Sequence, residues 1–213
     1  MGKLIQFVPE EPRRMLGRSH VMFGLTAAVV LDGVVHISGP PLATATPVPL
    51  ELIINKVIFF SMVALGALLP DIDNAQSTIG HKFGWISKEI QHIAGHRTIF
   101  HSLLGLLLGS LLALGVEQLV VLLLAQRSFY FPAQFVEKSH LVFVAVLIGC
   151  ILHIAADGLT EGGVPLLWPY HKRFGFPPNP HWRFRTGDWP EYVIVYSCML
   201  LVFLCVWQAI IQI

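Results

Sequence analysis

The stretch GHRTIFHSLLGLLLGSLLALG, residues 95–115, joins a polar segment with two histidines directly to an uncharged run of leucine and glycine. An apolar run of about 20 residues is long enough to cross the hydrocarbon core of a membrane as a helix. His96, Arg97 and His101 therefore stand where such a helix would meet the lipid headgroups. Two interpretations are open at this point: these residues anchor a helix end at the membrane surface, or they hold a ligand.

The composition of the whole chain is that of a membrane protein. The 213 residues are 54% hydrophobic and only 13% charged, which is about half of the charged fraction usual in soluble domains. The net charge of +1 gives no sign of the basic surface typical of nucleic-acid binding, so we expect no nucleic-acid partner. Oligomeric state cannot be inferred from these features.

Five apolar segments are each long enough to span a membrane. We therefore predict an all-α integral membrane protein with a cytoplasmic N-terminal tail, residues 1–18, and a single membrane domain, residues 19–213. No cleavable signal peptide is expected, because the first twenty residues are polar. The predicted spans are about 19–37, 51–69, 99–125, 140–157 and 191–213.

The distribution of lysine and arginine predicts the orientation of these spans. The N-terminal tail and the 70–98 and 158–190 links carry eleven of these residues, whereas the 39–49 and 126–139 links carry two. With five spans, the tail and the two basic links share one side of the membrane. We predict that this side is the cytoplasmic face of the cell (inner) membrane, with the C-terminus outside.

This topology brings four helix ends with unusual polar residues to the cytoplasmic face. Ionisable residues at a membrane are costly and usually functional. Histidine nitrogens and aspartate oxygens are ligands for Zn²⁺ and other divalent cations, and seven such residues suffice for two or three ions. The candidate metal ligands are His20, Asp71, Asp73, His96, His101, His153 and Asp157.

Simpler interpretations of these residues stay open. His153 and Asp157 lie four apart, on one face of a helix, where they are compatible with a metal site or with a plain hydrogen-bonded pair. Asp71 and Asp73 follow Pro70 at a helix end, where paired carboxylates often cap helices. The argument for a site is therefore a joint one, carried by the whole set.

Five stretches together resemble a known family. In order they are RSH (18–20), GALLPDIDNAQS (66–77), GHRTIFHSLLG (95–105), HIAADGLTEGGVPLLWP (153–169) and FRTGDWPEY (184–192). The set resembles the YdjM-like family of LexA-binding, inner-membrane-associated, metal-dependent hydrolases, over about residues 18–195. That family is grouped with the all-helical fold of zinc-dependent phospholipase C and P1 nuclease.

The resemblance implies a zinc centre. His153 and Asp157 correspond to a His-x-x-x-Asp metal pair of that fold, and Asp71 with His96 or His101 to its upstream ligands. A further His-x-x-x-Asp/Glu pair of those enzymes has no clear counterpart in this sequence, which leaves the number of zinc ions open.

The resemblance also suggests roles around the metal. Arg97 would bind a phosphate oxygen as a fixed cation, and Asp73 and Glu191 are the other candidate catalytic residues. Glu191 is equally compatible with a metal ligand or with a partner for the helix dipole. Ser77 and Ser102 are candidates for hydrogen bonds that orient the ligands, or for helix caps.

We therefore expect a membrane-embedded, metal-dependent hydrolase that uses metal-activated water. Its substrate would be a phosphoester at the cytoplasmic leaflet, such as a phospholipid or another lipid-linked phosphate. The alternatives are a metal-ion transporter or sensor, whose ligands would lie near the bilayer midplane, and a non-catalytic membrane scaffold with a structural metal. A zinc protease is disfavoured because the sequence contains no H-E-x-x-H.

Three charged residues interrupt the apolar spans at their other ends. Asp32 lies near the end of the first predicted span, Lys56 near the start of the second, and Glu117 within the third. An unpaired charge at such a depth costs roughly 2.5–3.5 kcal/mol. We predict that Lys56 pairs with Asp32 or Glu117 across packed helices, remote from the metal ligands.

Overall fold

The computed structural model of the chain describes residues 17–44, 47–94, 99–126, 138–170 and 172–211. Over these ranges the chain is helical, and its β-structure is limited to two isolated bridges, Thr160 with Phe184 and Val164 with Phe174. The α-helices of the described ranges are α1 Gly17–Val35, α2 Leu50–Gly66, α3 Thr78–Ala94, α4 Leu103–Gln126, α5 Ser139–Gly158 and α6 Trp189–Ile211. The all-helical prediction is confirmed for this part of the chain.

Within the described ranges, four stretches are long and apolar enough to cross a membrane: Gly17–Val35, Leu50–Asp73, Leu103–Leu123 and Ser139–Gly158. They agree with the first four predicted spans to within a few residues. The third begins at Leu103 and not at 99, because Ile99–His101 forms a short 3-10 turn ahead of α4. The apolar part of α6, Trp189–Cys205, is shorter than these four.

The sequence predicts the 70–98 segment only as a link between spans, whereas the structure has helix α3 within it. Its start is specified by Ser77, whose Oγ accepts a hydrogen bond of 2.9 Å from the Gly80 amide, the usual arrangement of an N-cap. Gly84 interrupts the helix with φ 47° and ψ −107°, a backbone conformation that glycine adopts at little cost. The polar residues of α3 interrupt the apolar ones, so the segment lacks the continuous apolar run that marks the membrane helices.

Helix α5 is the centre of the bundle and packs against α1, α2 and α4. Eleven of its 20 residues are buried. Its closest neighbour is α2, where glycines allow the two backbones to meet: a Cβ on Gly149 would lie 2.2 Å from the Val63 carbonyl oxygen, and one on Gly66 would lie 2.3 Å from that of Val146. Small residues at such contacts are typical of helix packing in membranes.

The predicted ion pair is present at one end of the bundle. Lys56 Nζ, near the start of α2, donates to Asp32 Oδ2, near the end of α1, at 2.8 Å. Asp32 also accepts hydrogen bonds from the backbone amide and the hydroxyl of Ser38, and Lys56 donates a second one to the Gly39 carbonyl. Glu117 instead accepts a hydrogen bond of 3.4 Å from Ser139 Oγ. The pairing prediction is therefore confirmed, with Asp32 as the partner.

Candidate metal centre

Buried histidines and aspartates meet at the other end of the bundle, where α1 and α4 begin and α2 and α5 end. Each is 6% exposed or less. The structure brings together six of the seven predicted ligands: His20, Asp71, Asp73, His101, His153 and Asp157. The seventh, His96, lies outside the described residues, and so does the predicted catalytic Arg97.

His153 is fixed in the cluster by a backbone carbonyl. Its Nδ1 lies 2.7 Å from the Ala67 carbonyl oxygen, which can only accept, so Nδ1 carries a proton. The other nitrogen, Nε2, faces the cluster and lies 3.4 Å from His101 Nε2. The ring also stacks on that of His20, with centroids 3.8 Å apart and an angle of 17° between the planes. Proteins orient metal-binding histidines by a hydrogen bond of this kind, which is made by the ring nitrogen that does not bind the metal.

Asp157 faces histidines with both of its oxygens. Oδ1 lies 3.5 Å from His20 Nε2, and Oδ2 lies 3.5 Å from His101 Nε2. The distance from Asp157 Oδ2 to His153 Nε2, one helical turn away, is 3.9 Å, which is too long for a hydrogen bond. This geometry does not fit the simple pairing of His153 with Asp157 that the sequence left open.

Among the residues that the structure describes, two overlapping groups of donors have the spacing of a metal site. Within each group the potential ligand atoms lie within 4.8 Å of one another. Ligands at about 2.0–2.1 Å from a tetrahedral zinc ion are themselves separated by about 3.3–3.4 Å, close to the 3.4–3.7 Å between the nearest donors here. The groups are His20, His153 and Asp157, and Asp71, His101 and His153.

The charge of the cluster also suits a cation. Three buried aspartates lie beside three imidazoles, so the described part of the cluster carries excess negative charge when the imidazoles are neutral. Burying charge without compensation is costly. A divalent cation would offset this charge, and nitrogen and oxygen donors in this mixture are those that zinc accepts.

Asp73 stands apart from both groups. Its Oδ2 lies 3.5 Å from Nδ1 of His101, on the opposite edge of the ring from Asp71, whose Oδ1 lies 3.7 Å from Nε2. Burial lowers the pKa of His101, but the bond to Asp73 and the charges of Asp73, Asp157 and Asp71 outweigh burial and raise the pKa above its ordinary value. The position of Asp73 is that of a residue supporting a ligand.

Ser77 and Ser102 both cap helices. Ser77 Oγ donates to the Asp71 carbonyl at 2.7 Å in addition to accepting from the Gly80 amide. Ser102 Oγ donates to the Ile99 carbonyl at 2.5 Å and accepts from the amide of Gly105 at 3.2 Å. These bonds favour the capping interpretation for both serines. Ser77 nevertheless braces the backbone of a candidate ligand.

Glu191 is buried in the first turn of α6. Its Oε2 accepts a hydrogen bond of 2.7 Å from the backbone amide of Gly187, just ahead of the helix. A glutamate that reaches back to an amide in this way stabilises a helix N-terminus. Of the three roles considered for Glu191, this contact favours that of a partner for the helix terminus.

Two hydrogen-bonding groups near the site, a backbone carbonyl and a serine hydroxyl, were not predicted from the sequence. One is the Ala67 carbonyl that holds His153, and a backbone acceptor has no signature in residue type. The other is Ser87, a fully buried residue of α3 whose Oγ donates to the Ile72 carbonyl at 2.6 Å. Only the prediction of a helix within the 70–98 segment would have indicated a role for Ser87.

A bundle of membrane-length helices with buried histidines and aspartates at one end defines the class: a helical membrane protein with a candidate metal centre. The family model described as YdjM inner membrane protein matches residues 15–212, so the chain belongs to this family. The resemblance to YdjM-like proteins is thereby confirmed. Family membership and the apolar helices support a location in the inner membrane.

Curated relatives agree with this assignment. The inner membrane protein YdjM of Escherichia coli (strain K12) is 39% identical over 113 residues, which cover 53% of this chain and 50% of YdjM. The uncharacterized protein YvsG of Bacillus subtilis (strain 168) is 28% identical over 170 residues, 80% of this chain and 91% of YvsG. The chain thus matches half the length of YdjM. No solved structure matches.

Proposed function

We propose that this protein is a membrane-embedded, metal-dependent hydrolase that cleaves a phosphoester, such as a lipid-linked phosphate, at the cytoplasmic leaflet. The observation that carries the proposal is the convergence of His20, Asp71, His101, His153 and Asp157, all buried, at one end of the helical bundle. Buried charged groups are costly to remove from water, and ionisable residues at a membrane usually serve a function, so such a cluster favours a functional site.

The cluster, together with the candidate ligand His96, would hold divalent zinc, as two or three ions. Zinc supplies Lewis acidity and lowers the pKa of a bound water toward 7. His153 offers only Nε2 because Nδ1 is bonded to Ala67, and Asp157 offers an oxygen to each side of the cluster. His153 would therefore serve one subsite only, whereas Asp157 would contribute to both.

Side chains around the cluster would handle the substrate. Arg97 lies between the candidate ligands His96 and His101 in the sequence, and in this proposal its guanidinium binds phosphate oxygens in a bidentate manner. Asp73 positions His101 in this proposal, since it faces the outer edge of that ring. Glu191 keeps its bond to the start of α6.

The placement of the cluster favours a hydrolase over a transporter. The ligands lie at helix ends: His20 is in the first turn of α1, His101 precedes α4, and Asp157 is in the last turn of α5. Transporters place coupling ions near the bilayer midplane, often at broken helices. In the proposed five-span topology, the cluster and the N-terminus both face the cytoplasm, where phosphorylated lipid headgroups are accessible.

Metal analysis combined with substrate screening tests the proposal. The protein is purified in lipid nanodiscs, and its metal content is measured by mass spectrometry for wild type, His153→Ala and Asp157→Ala. His140→Ala is the matched control, because His140 is exposed at the opposite end of the same helix. We expect both site variants to lose at least one ion and the control to lose none.

The same samples are screened against phosphomonoesters and phosphodiesters, including phospholipids. Hydrolysis by wild type and the control, but not by the site variants, supports the proposal. Metal binding without hydrolysis of any ester would favour a structural metal. Full metal content in both site variants would place the metal elsewhere and overturn the proposal.

A further inference from the structure

Helix α3 is tied to the membrane at both of its ends. Four residues separate its start at Thr78 from the end of the membrane-length stretch Leu50–Asp73, and eight separate its end at Ala94 from the start of the stretch Leu103–Leu123. The helix therefore lies at the same end of the bundle as the candidate metal centre. It is not one of the described helices that are long and apolar enough to cross a membrane.

One side of α3 is attached to the turn that carries Asp71 and Asp73. Ser77, which caps α3, donates to the Asp71 carbonyl, and Ser87 in the middle of the helix donates to the Ile72 carbonyl. Ile79 of α3 is only 5% exposed, and the helix as a whole packs against the Leu69–Asp73 turn. The inner side of α3 is thus fixed to the protein.

The remaining surface of α3 carries large apolar side chains that the protein does not cover. Trp85 is 74% exposed, Phe83 45% and Ile86 38%. Isolated exposed apolar residues are common, but three large ones within four positions, on either side of Gly84, are a concentration typical of a surface that contacts a partner. Tryptophan is enriched at the boundary between lipid headgroups and acyl chains, and tryptophan and phenylalanine are typical of the apolar face of helices that lie in this region.

The charges beside this patch are mainly basic. Lys82 and Lys88 are exposed on either side of Trp85, and His81 and His92 are exposed as well. Glu89 is the one acidic residue in the helix sequence. Basic residues flanking exposed aromatic side chains are complementary to a membrane surface with anionic lipids.

We infer that α3 lies in the headgroup region of the membrane and binds anionic phospholipids. Phe83, Trp85 and Ile86 enter the upper part of the acyl chains, while Lys82 and Lys88 contact phosphate groups. Because Ser77 and Ser87 join α3 to the Asp71–Asp73 turn, this contact fixes the turn at the level of the headgroups. The inference concerns lipid contact alone and does not depend on hydrolysis or on bound metal.

Tryptophan fluorescence in nanodiscs tests the location of α3. The emission of Trp85 is obtained as the difference between wild type and Trp85→Phe, with Trp85→Tyr as a second variant. We expect lipids brominated near the top of the acyl chain to remove most of this emission and iodide in the aqueous phase to remove little of it. Trp85 emission that iodide removes and brominated lipids spare would overturn the inference, because it would place α3 in water.

The lipid preference is tested with brominated phosphatidylglycerol and brominated phosphatidylcholine at equal mole fractions. We expect the anionic lipid to quench Trp85 more strongly in wild type and to lose that advantage in the double variant Lys82→Gln/Lys88→Gln. The control Lys172→Gln/Arg173→Gln removes the same charge from exposed positions outside α3 and should keep the preference. Equal quenching by the two lipids in wild type would contradict the anionic preference.

Discussion

Asp73 and His101 form a carboxylate–imidazole pair in which Oδ2 of Asp73 lies 3.5 Å from Nδ1 of His101. Asp71, two residues away in the same 3-10 turn, faces the Nε2 edge of that ring. The two aspartates of the LPDID sequence thus flank opposite edges of one histidine. A carboxylate behind a metal-binding histidine fixes the orientation of its ring and increases its basicity, so we expect the two aspartates to differ in function.

Replacing each aspartate by asparagine should separate these roles. Asp71→Asn should lose an ion, because it removes a charged ligand. Asp73→Asn should retain the metal with an affinity about 10–100-fold lower, the usual cost of losing an outer carboxylate. Competition with a zinc chelator measures both effects.

Asp188→Asn is the control for this pair, because it removes an equal charge from an exposed position. Its zinc affinity should match that of wild type. If Asp73→Asn lost its metal and Asp71→Asn kept all of its metal, the roles assigned to the two aspartates would be reversed.

Arg97→Lys should separate metal binding from turnover. In the proposed function, the guanidinium holds phosphate oxygens through two hydrogen bonds, which an ammonium group cannot reproduce. We expect unchanged metal content and a loss in kcat of roughly hundredfold to thousandfold, comparable to the removal of one transition-state donor. A wild-type rate in the lysine variant would reduce Arg97 to an anchor at the membrane surface.

Much of the architecture was predictable because membrane helices have a strong signal. Continuous apolar runs indicate the positions of α1, α2, α4 and α5 to within a few residues. Because successive spans cross the membrane in opposite directions, the polar ends of these four helices are predicted on the same side. The ion pair of Lys56 with Asp32 was predictable for the same reason: a charge within an apolar helix needs a partner close by.

What could not be predicted depends on contacts without a residue pattern. The orientation of His153 is set by the Ala67 carbonyl, and any residue at position 67 would offer that oxygen. Helix α3 mixes polar and apolar residues and contains no continuous apolar run, so the signal that marks the membrane helices does not mark it. The different positions of Asp71 and Asp73 around His101 follow from the 3-10 turn, which the sequence alone does not define.

The close contact of α2 and α5 should be sensitive to a single methyl group. In Gly149→Ala the new Cβ would lie 2.2 Å from the Val63 carbonyl oxygen and 2.8 Å from the Ala67 amide nitrogen, so the helices must separate. We expect the free energy of unfolding to fall by about 1–3 kcal/mol, the usual cost of overpacking. The thermal midpoint in a fixed detergent measures this change.

The same variant should also weaken metal binding, because Ala67 holds His153. Gly115→Ala in α4 is the matched control: a Cβ there meets nothing within 4 Å, so stability should be unchanged or slightly higher. Equal thermal midpoints for Gly149→Ala and Gly115→Ala would show that α2 and α5 are not packed this closely.

Lys56→Met should destabilise the protein by leaving Asp32 buried without its cation. The side chain of Asp32 is 4% exposed, and removing one partner of a buried pair costs ~3–5 kcal/mol. The hydrogen bonds from Ser38 remain, so we expect a loss near the lower end of this range, measured as a lower thermal midpoint at unchanged metal content.

Lys138→Met is the control, because its partner Glu51 is 62% exposed at 3.7 Å and such pairs contribute only ~0–1 kcal/mol. Adding Asp32→Asn to Lys56→Met should recover part of the loss, since it removes the uncompensated charge. A midpoint for Lys56→Met equal to that of wild type would contradict a stabilising role for the pair.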